Sequence, residues 1–223
     1  MTSASQWLLW QLADSSFPSG SFGHSGGLEA AWQHGAVSSG KLLVEFIKTQ
    51  LAQVGRGALP IVLEAHREPG QFSELNQLSE AFLTNSIANC ASRLLGQSFA
   101  IAVDRSFGAG LIPLLAKSGD GPGAILHFAP IFGTALNLLK IERSECARLF
   151  LFLSLRGYIS SAIRLGIVGP LEGQALQFRL STHADHVCQK CGDLPLSELA
   201  QTAPILDLYQ GAHDRLYSRL FQT

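Results

Sequence analysis

The sequence predicts an all-α fold, a single-domain helical bundle over residues 1–223. In most segments apolar residues recur three and four apart, the spacing that lines one face of a helix. Clusters of Pro and Gly cut the chain into pieces of helical length. No run alternates apolar and polar residues as a half-buried strand does, and no repeat or interdomain linker is evident.

Taken in order, Trp7-Leu8-Leu9-Trp10-Gln11-Leu12 is apolar almost all round and predicts a buried first helix. Ser25 is placed to cap a second helix starting near Gly26. Glu29 then falls in its first turn, where the helix dipole favours a carboxylate. Ser38 or Ser39 caps the next helix, to about Val54. Leu42, Leu43, Phe46, Ile47, Leu51 and Val54 recur at helical spacing, with Lys41, Glu45 and Lys48 on the other face, where Lys41 and Glu45 make an i,i+4 pair. Gly55-Arg56-Gly57 weakens or bends this helix. Residues 59–67 continue helical, with Pro60 tolerable in a first turn, and Pro69-Gly70 is a break. One long helix is expected from about 72 to 104, with Asn85, Asn89 and Ser92 along one face. Residues 106–123 read as a Gly/Pro-rich loop. Pro130 suits the first turn of a helix ending near Lys140. Further helices run from about 141 to 165 and, past a break at 166–170, from 170 to 189. A last helical segment carries the tail, with Leu216, Tyr217, Leu220 and Phe221 on one stripe.

Composition narrows the function classes. Charged residues are 15% of the chain and net charge is −1, which argues against nucleic acid, whose binders present a clustered basic face. Apolar content of 47% with so few charges predicts a surface partly hidden against partners. The four cysteines are dispersed apart from Cys188 and Cys191, so free thiols in a reducing compartment are expected. No Lys or Arg precedes Lys41, and neither a signal peptide nor a transit peptide is read here. Residues 124–139 lack formal charge but are too short to span a bilayer and hold His127, Pro130 and Asn137. A buried core helix is expected instead.

Residues 12–32 organise the rest. Four glycines, one proline and five serines lie there between two apolar segments, and so many glycines in an ordered domain point to a particular loop shape. Gly23-His24-Ser25-Gly26-Gly27 fits G-x-S-x-G, the turn that presents a hydrolase serine, but no strand-like run precedes it. A serine hydrolase using Ser25 is the alternative reading. A phosphate loop is weaker still, with no G-K-[ST]. His24 reads as a loop-shaping residue, since no carboxylate in the sequence is a compelling orienter for it. His183, His186, Cys188 and Cys191 are all ligand types. On one straight helix they fan over more than half the circumference at about 100° per residue, so no metal site is assigned to them.

Four motifs together carry a resemblance. Phe17-Pro18-Ser19-Gly20-Ser21-Phe22-Gly23-His24-Ser25-Gly26-Gly27-Leu28-Glu29 resembles the N-terminal signature L-P-x-G-[AGS]-[FY]-x-x-S-x-G-L-E of the urease accessory protein UreF family. Gly26 stands where that family often has Gln or Phe. His127-Phe128-Ala129-Pro130-Ile131-Phe132-Gly133 is similar to its H-x-P-V-x-[FY]-G. Ser160-Ser161-Ala162-Ile163-Arg164-Leu165 with Gly173-Gln174 is similar to its S-A-x-[IV]-[RK]-L…G-Q. Pro204-Ile205-Leu206-Asp207 through Tyr217-Ser218-Arg219-Leu220-Phe221 resembles its P-x-L-D…H-x-x-x-Y-S-R-L-F ending. In order, these span nearly the whole chain.

The resemblance implies a non-catalytic cytoplasmic protein, without cofactor or metal of its own, that works in nickel insertion as a chaperone subunit. It would dimerise, bind the accessory protein UreD (UreH in some species) and recruit the GTPase UreG. The assembly would deliver nickel to the carbamylated-lysine centre of apo-urease, with neither nucleic acid nor membrane as partner. The implied partner-binding residues are Phe22, His24, Glu29, Tyr209, His213, Arg215, Tyr217, Arg219, Leu220 and Phe221, with Arg148 and Phe152 at a dimer contact. Glu29 would face the GTPase, so that replacing it leaves thermal stability nearly unchanged. The tail, from about 206 to 223, would dock on UreD, and deleting 212–223 would spare the bundle.

Overall fold

The computed structural model describes residues 3–19, 23–117 and 124–222. Among them lie eleven α-helices and no strand: α1 Ser3–Ala13, α2 Leu28–Gln33, α3 Gly40–Arg56, α4 Ala58–Arg67, α5 Phe72–Phe82, α6 Ser86–Phe107, α7 Leu111–Lys117, α8 Phe128–Leu138, α9 Arg143–Arg164, α10 Pro170–Cys191 and α11 Pro204–Ala212. The fold is an all-α, single-domain bundle.

Its centre is α8 packed on α4, with α6 and α9 flanking. At Gly133 an added Cβ would lie 2.0 Å from the Val62 carbonyl oxygen, so the two backbones touch where only hydrogen fits. Phe99, Phe128, Phe132 and Phe150 stack around this contact with ring centroids 5.2–5.8 Å apart, an aromatic core worth more than its buried area alone. α9 is the one helix among the described residues long and apolar enough to cross a membrane. Half of its apolar window is buried in the bundle, as in a core helix.

His127 begins α8 and ties it to α5 and α6. Its backbone N–H donates to Asn76 Oδ1 at 2.9 Å, while its ring nitrogens meet Ser92 Oγ at 3.1 Å and Glu80 Oε2 at 2.8 Å. Burial pushes the imidazole pKa down, against the opposing pull of Glu80. Glu80 is itself held by Arg93. The motif His127 belongs to is therefore a structural joint among three helices.

Several sequence expectations are corrected. The first helix is not buried: Trp7 and Trp10 are 67% and 60% exposed and pack edge-to-face on each other, while Leu12 enters the core. A helix apolar on every side can bury only the side that finds a neighbour, and α1 finds α9. Lys41 and Glu45 do not pair; Glu45 pairs with Lys48 at 2.9 Å, one turn on. The long helix expected over 72–104 is two, because the chain leaves helical geometry at Leu83 and Asn85 caps α6. Asn85 Oδ1 accepts from Ile87 N at 3.0 Å and Ala88 N at 3.2 Å. The loop expected at 106–123 contains α7, whose entry is fixed by Leu111 N–H donating to Asp104 Oδ1. Residues 118–123 of that loop lie outside the described residues. Ser39, one of the two candidates, caps α3, accepting from Leu42 N.

The Asn85 amide also donates to the Asp207 carbonyl at 2.7 Å, pinning α11 to α6. Asn85→Ala removes both the cap and this strap. It should cost about 1 kcal/mol, toward 2 with the strap included, read as a fall of roughly 2–6 °C in melting temperature for a chain of this size. An unchanged transition would show that Asn85 contributes neither.

Candidate partner-binding site

The glycine-rich loop and the C-terminal tail, far apart in sequence, meet on one face. Gly26 and Gly27 both hold left-handed backbone, φ 61° and 85°, which explains why the helix begins at Leu28 and not near Gly26. Ser25 is not its cap: its hydroxyl is buried without a hydrogen-bond partner among the described residues. Among the described residues no strand leads into this turn and no hydrogen-bond partner meets Ser25 Oγ, so the hydrolase reading has no geometric support there.

The loop is sewn to the core by polar bridges. Gln50 Nε2 donates to the Gly26 carbonyl at 2.7 Å, and Tyr158 O–H donates to Gln50 Oε1 at 3.1 Å. Tyr158 also closes over Gly26, where a Cβ would lie 2.7 Å from its ring. A phenol so enclosed has its pKa pushed up by burial and stays protonated, as the donor role requires.

Glu29 was expected to face a partner. It is 2% exposed, and its carboxylate points inward to the tail. Oε1 accepts the Leu220 N–H at 2.7 Å, Oε2 accepts the Phe221 N–H at 3.2 Å, and His213 Nε2 stands 3.4 Å from Oε2. Two further bonds extend the clasp: Gln222 N–H to the Gly23 carbonyl at 2.8 Å, and Gln33 Nε2 to the Ser218 carbonyl at 2.9 Å. The Arg164 guanidinium lies 4.1 Å from the Phe221 ring centroid, a cation–π contact that caps the buried ring.

The tail is not the helix its spacing suggested. After α11 a 3-10 turn runs His213–Arg215, and the chain then continues without helix. The backbone N–H groups of residues 220–222 find acceptors in Glu29 and Gly23, in place of a helical ladder. The intended apolar stripe is accordingly split. Phe221 goes inward at 5% exposure, while Tyr217 stands fully exposed and Leu220 is 51% exposed.

His24 is largely buried in the loop, where desolvation and then the neighbouring His213 push its pKa down. His213 is wholly buried, so a deletion from 212 removes buried side chains and should cost stability, against the expectation that it spares the bundle. Tyr209 packs on Gly27, Arg215 is exposed, and Arg219 pairs loosely with Asp214 at 3.4 Å. Phe22 lies outside the described residues. Arg148 and Phe152 share the outer face of α9. There Arg148 meets Glu145 at 3.1 Å and Asp185 at 3.8 Å, and Arg156 leans over the Phe152 ring.

Of the ligand-type residues on α10, Cys191 is buried beside Gly55 of α3 while His186 faces solvent. Among the described residues no three His, Cys, Asp or Glu side chains gather as a metal set would. All four cysteines are free thiols.

Sequence reasoning missed Gln50, Tyr158, Gln33 and Arg164, which position the loop and tail. Gln50 left a signal: it sits among Phe46, Ile47 and Leu51 on the inward face of α3, where a polar residue needs a partner.

The UreF family model matches residues 37–181. Urease accessory protein F of rice (Oryza sativa subsp. indica) is 36% identical over 228 residues, covering 100% of this chain and 87% of the rice protein. The Arabidopsis thaliana protein of the same name is 36% identical, covering 99% of this chain and 93% of its own length. A urease accessory protein UreF from Rhizobium johnstonii is 28% identical across 93% of this chain and 91% of its own. The loop and tail lie outside the span of the family model but inside the alignment with the rice protein. The chain belongs to the UreF family of urease accessory proteins.

Proposed function

We propose that this chain is a non-catalytic subunit of the cytoplasmic urease-maturation machinery. It forms a homodimer, binds UreD (UreH) and recruits the GTPase UreG for nickel insertion into apo-urease. Membership of the UreF family supports the general role. The observation that carries the docking reading is the tail clasp, in which buried Glu29, His213 and Phe221 hold the chain so that Tyr217, Leu220 and Arg219 face outward. Two large apolar side chains and an arginine on a fixed surface segment are the composition of an interface anchor. Within the implied set, Glu29 and His213 act as positioning residues, and Tyr217 and Leu220 as the contacts.

Co-expression with UreD and UreG followed by gel filtration tests this. A complex containing all three chains is expected, and elution of this chain apart from both partners would overturn the reading. For self-association, the exposed Phe152 on α9 is the residue to change. Phe152→Asp should weaken the dimer about tenfold or more, on the order of 1–2 kcal/mol for an apolar interface side chain, while leaving the monomer's melting temperature unchanged. Sedimentation velocity showing the same dimer in both proteins would place the contact elsewhere.

A further inference from the structure

Between the helices lies a cavity of about 310 Å³, half open to solvent and lined by α3, α4, α5, α6, α8, α9 and α11. Cores normally pack to native density with few voids larger than a water. Here small residues keep the space open: Gly57, Ala58, Ala88, Ala91, Ala129 and Gly157 all line it. The body of the wall is apolar and aromatic, with Phe82, Phe128 and Phe150 prominent. A space of this size, its surface mostly apolar and its polar side chains set among those walls, is the form of a small-molecule site.

The polar lining is mostly committed elsewhere. Gln50 bridges Gly26 and Tyr158, and Gln53 Oε1 accepts from Thr202 N, Thr202 Oγ1 and Ala203 N. Ser79 and Ser154 donate back to their own helices. Asp207 differs. It lines the cavity from α11, is half-buried, and its carboxylate makes no hydrogen bond or ion pair with any described residue. Burial pushes its pKa up, the mark of a carboxylate with no cation to offset desolvation. Among the described residues no Lys or Arg lines the space, and burial holds His24 toward its neutral form. The charge the cavity lacks is positive.

We propose that this cavity binds a small amphipathic amine, its aryl or alkyl body among Phe82, Phe128 and Phe150 and its ammonium group beside Asp207. The cavity shares His24 and Gly26 with the loop of the partner-binding site, but the reading does not rest on docking, since it is tested on this chain without its partners.

Calorimetric titration of the full-length protein with 4-phenylbutylamine, 4-phenylbutan-1-ol and 4-phenylbutanoate at neutral pH tests it. The three share one apolar body and differ in head-group charge. The amine should bind about tenfold more tightly than the alcohol, equivalent to one charge-assisted hydrogen bond, and the carboxylate should bind least. Asp207→Asn should bring the amine down to the level of the alcohol. Ala91→Phe, which fills the space, should abolish binding of all three in protein whose circular dichroism is native; Ala88→Leu serves if that variant does not fold. The proposal fails if the amine gives no saturable binding or binds no better than the carboxylate. It fails equally if Asp207→Asn leaves the amine's affinity unchanged.

Discussion

Glu29→Ala should loosen the tail and lower the melting temperature together. The wild-type carboxylate is buried and accepts two backbone N–H groups, from Leu220 and Phe221, with His213 against its second oxygen. Hydrogen bonds to a charged acceptor contribute roughly 1.5–3 kcal/mol each. Water reaches Leu220 and recovers part of its share, because that residue is half-exposed, but Phe221 is not so served. The expected net cost is about 3 kcal/mol, or roughly 6–12 °C for a chain of this length. Amide hydrogen exchange at residues 220–222 should accelerate in step, because Gln222 is fixed to Gly23 only while the tail lies in place. Glu29→Gln keeps an acceptor oxygen and should fall between wild type and alanine. Fast exchange at 220–222 already in the wild-type protein would show that the clasp is not the populated state. Unchanged exchange and stability in the variant would remove Glu29 from it.

This expectation reverses the one drawn from sequence, and the reason is physical. Glu29 sits one position into a helix, where dipole stabilisation is a sufficient local account of a carboxylate. Nothing in sequence says that residues 191 and 192 positions later supply the hydrogens it accepts. The same limit explains the tail. Leu216, Tyr217, Leu220 and Phe221 have helical spacing, but α11 ends at Ala212 and the backbone beyond it bonds to the loop. Periodicity reports an available face; tertiary acceptors decide whether a helix forms to use it. What was legible is what local chemistry settles: helix identity over most of the chain, a serine cap at 38 or 39, which proves to be Ser39, and a glycine loop of special shape. The break at Asn85 was also locally encoded, since Asn is a strong cap, but the apolar stripes on either side of it suggested continuity. Trp7 and Trp10 failed for a different reason: sequence gives the apolarity of a helix and not the number of its neighbours.

Replacing Tyr217 and Leu220 together by serine should have the largest effect on assembly and almost none on the fold. Tyr217 is fully exposed and makes no hydrogen bond with any described residue, and Leu220 is half-exposed, so neither side chain belongs to the core. Exposed positions of this kind change stability by no more than about 0.5 kcal/mol. The clasp survives, because Leu220 enters it through its backbone N–H and Phe221 through its ring and N–H. An interface anchor, by contrast, costs about 2 kcal/mol or more when truncated, so two anchors together should weaken capture of UreD by roughly a hundredfold or more. The measurement is affinity for immobilised UreD beside a thermal melt of the same preparation. Paired with Glu29→Ala, it separates two ways of losing the partner: one variant should keep its melting temperature and lose the contact, the other should lose both. A double variant that binds UreD with wild-type affinity would show that the outward face of the tail is not the docking surface, whatever holds it in place.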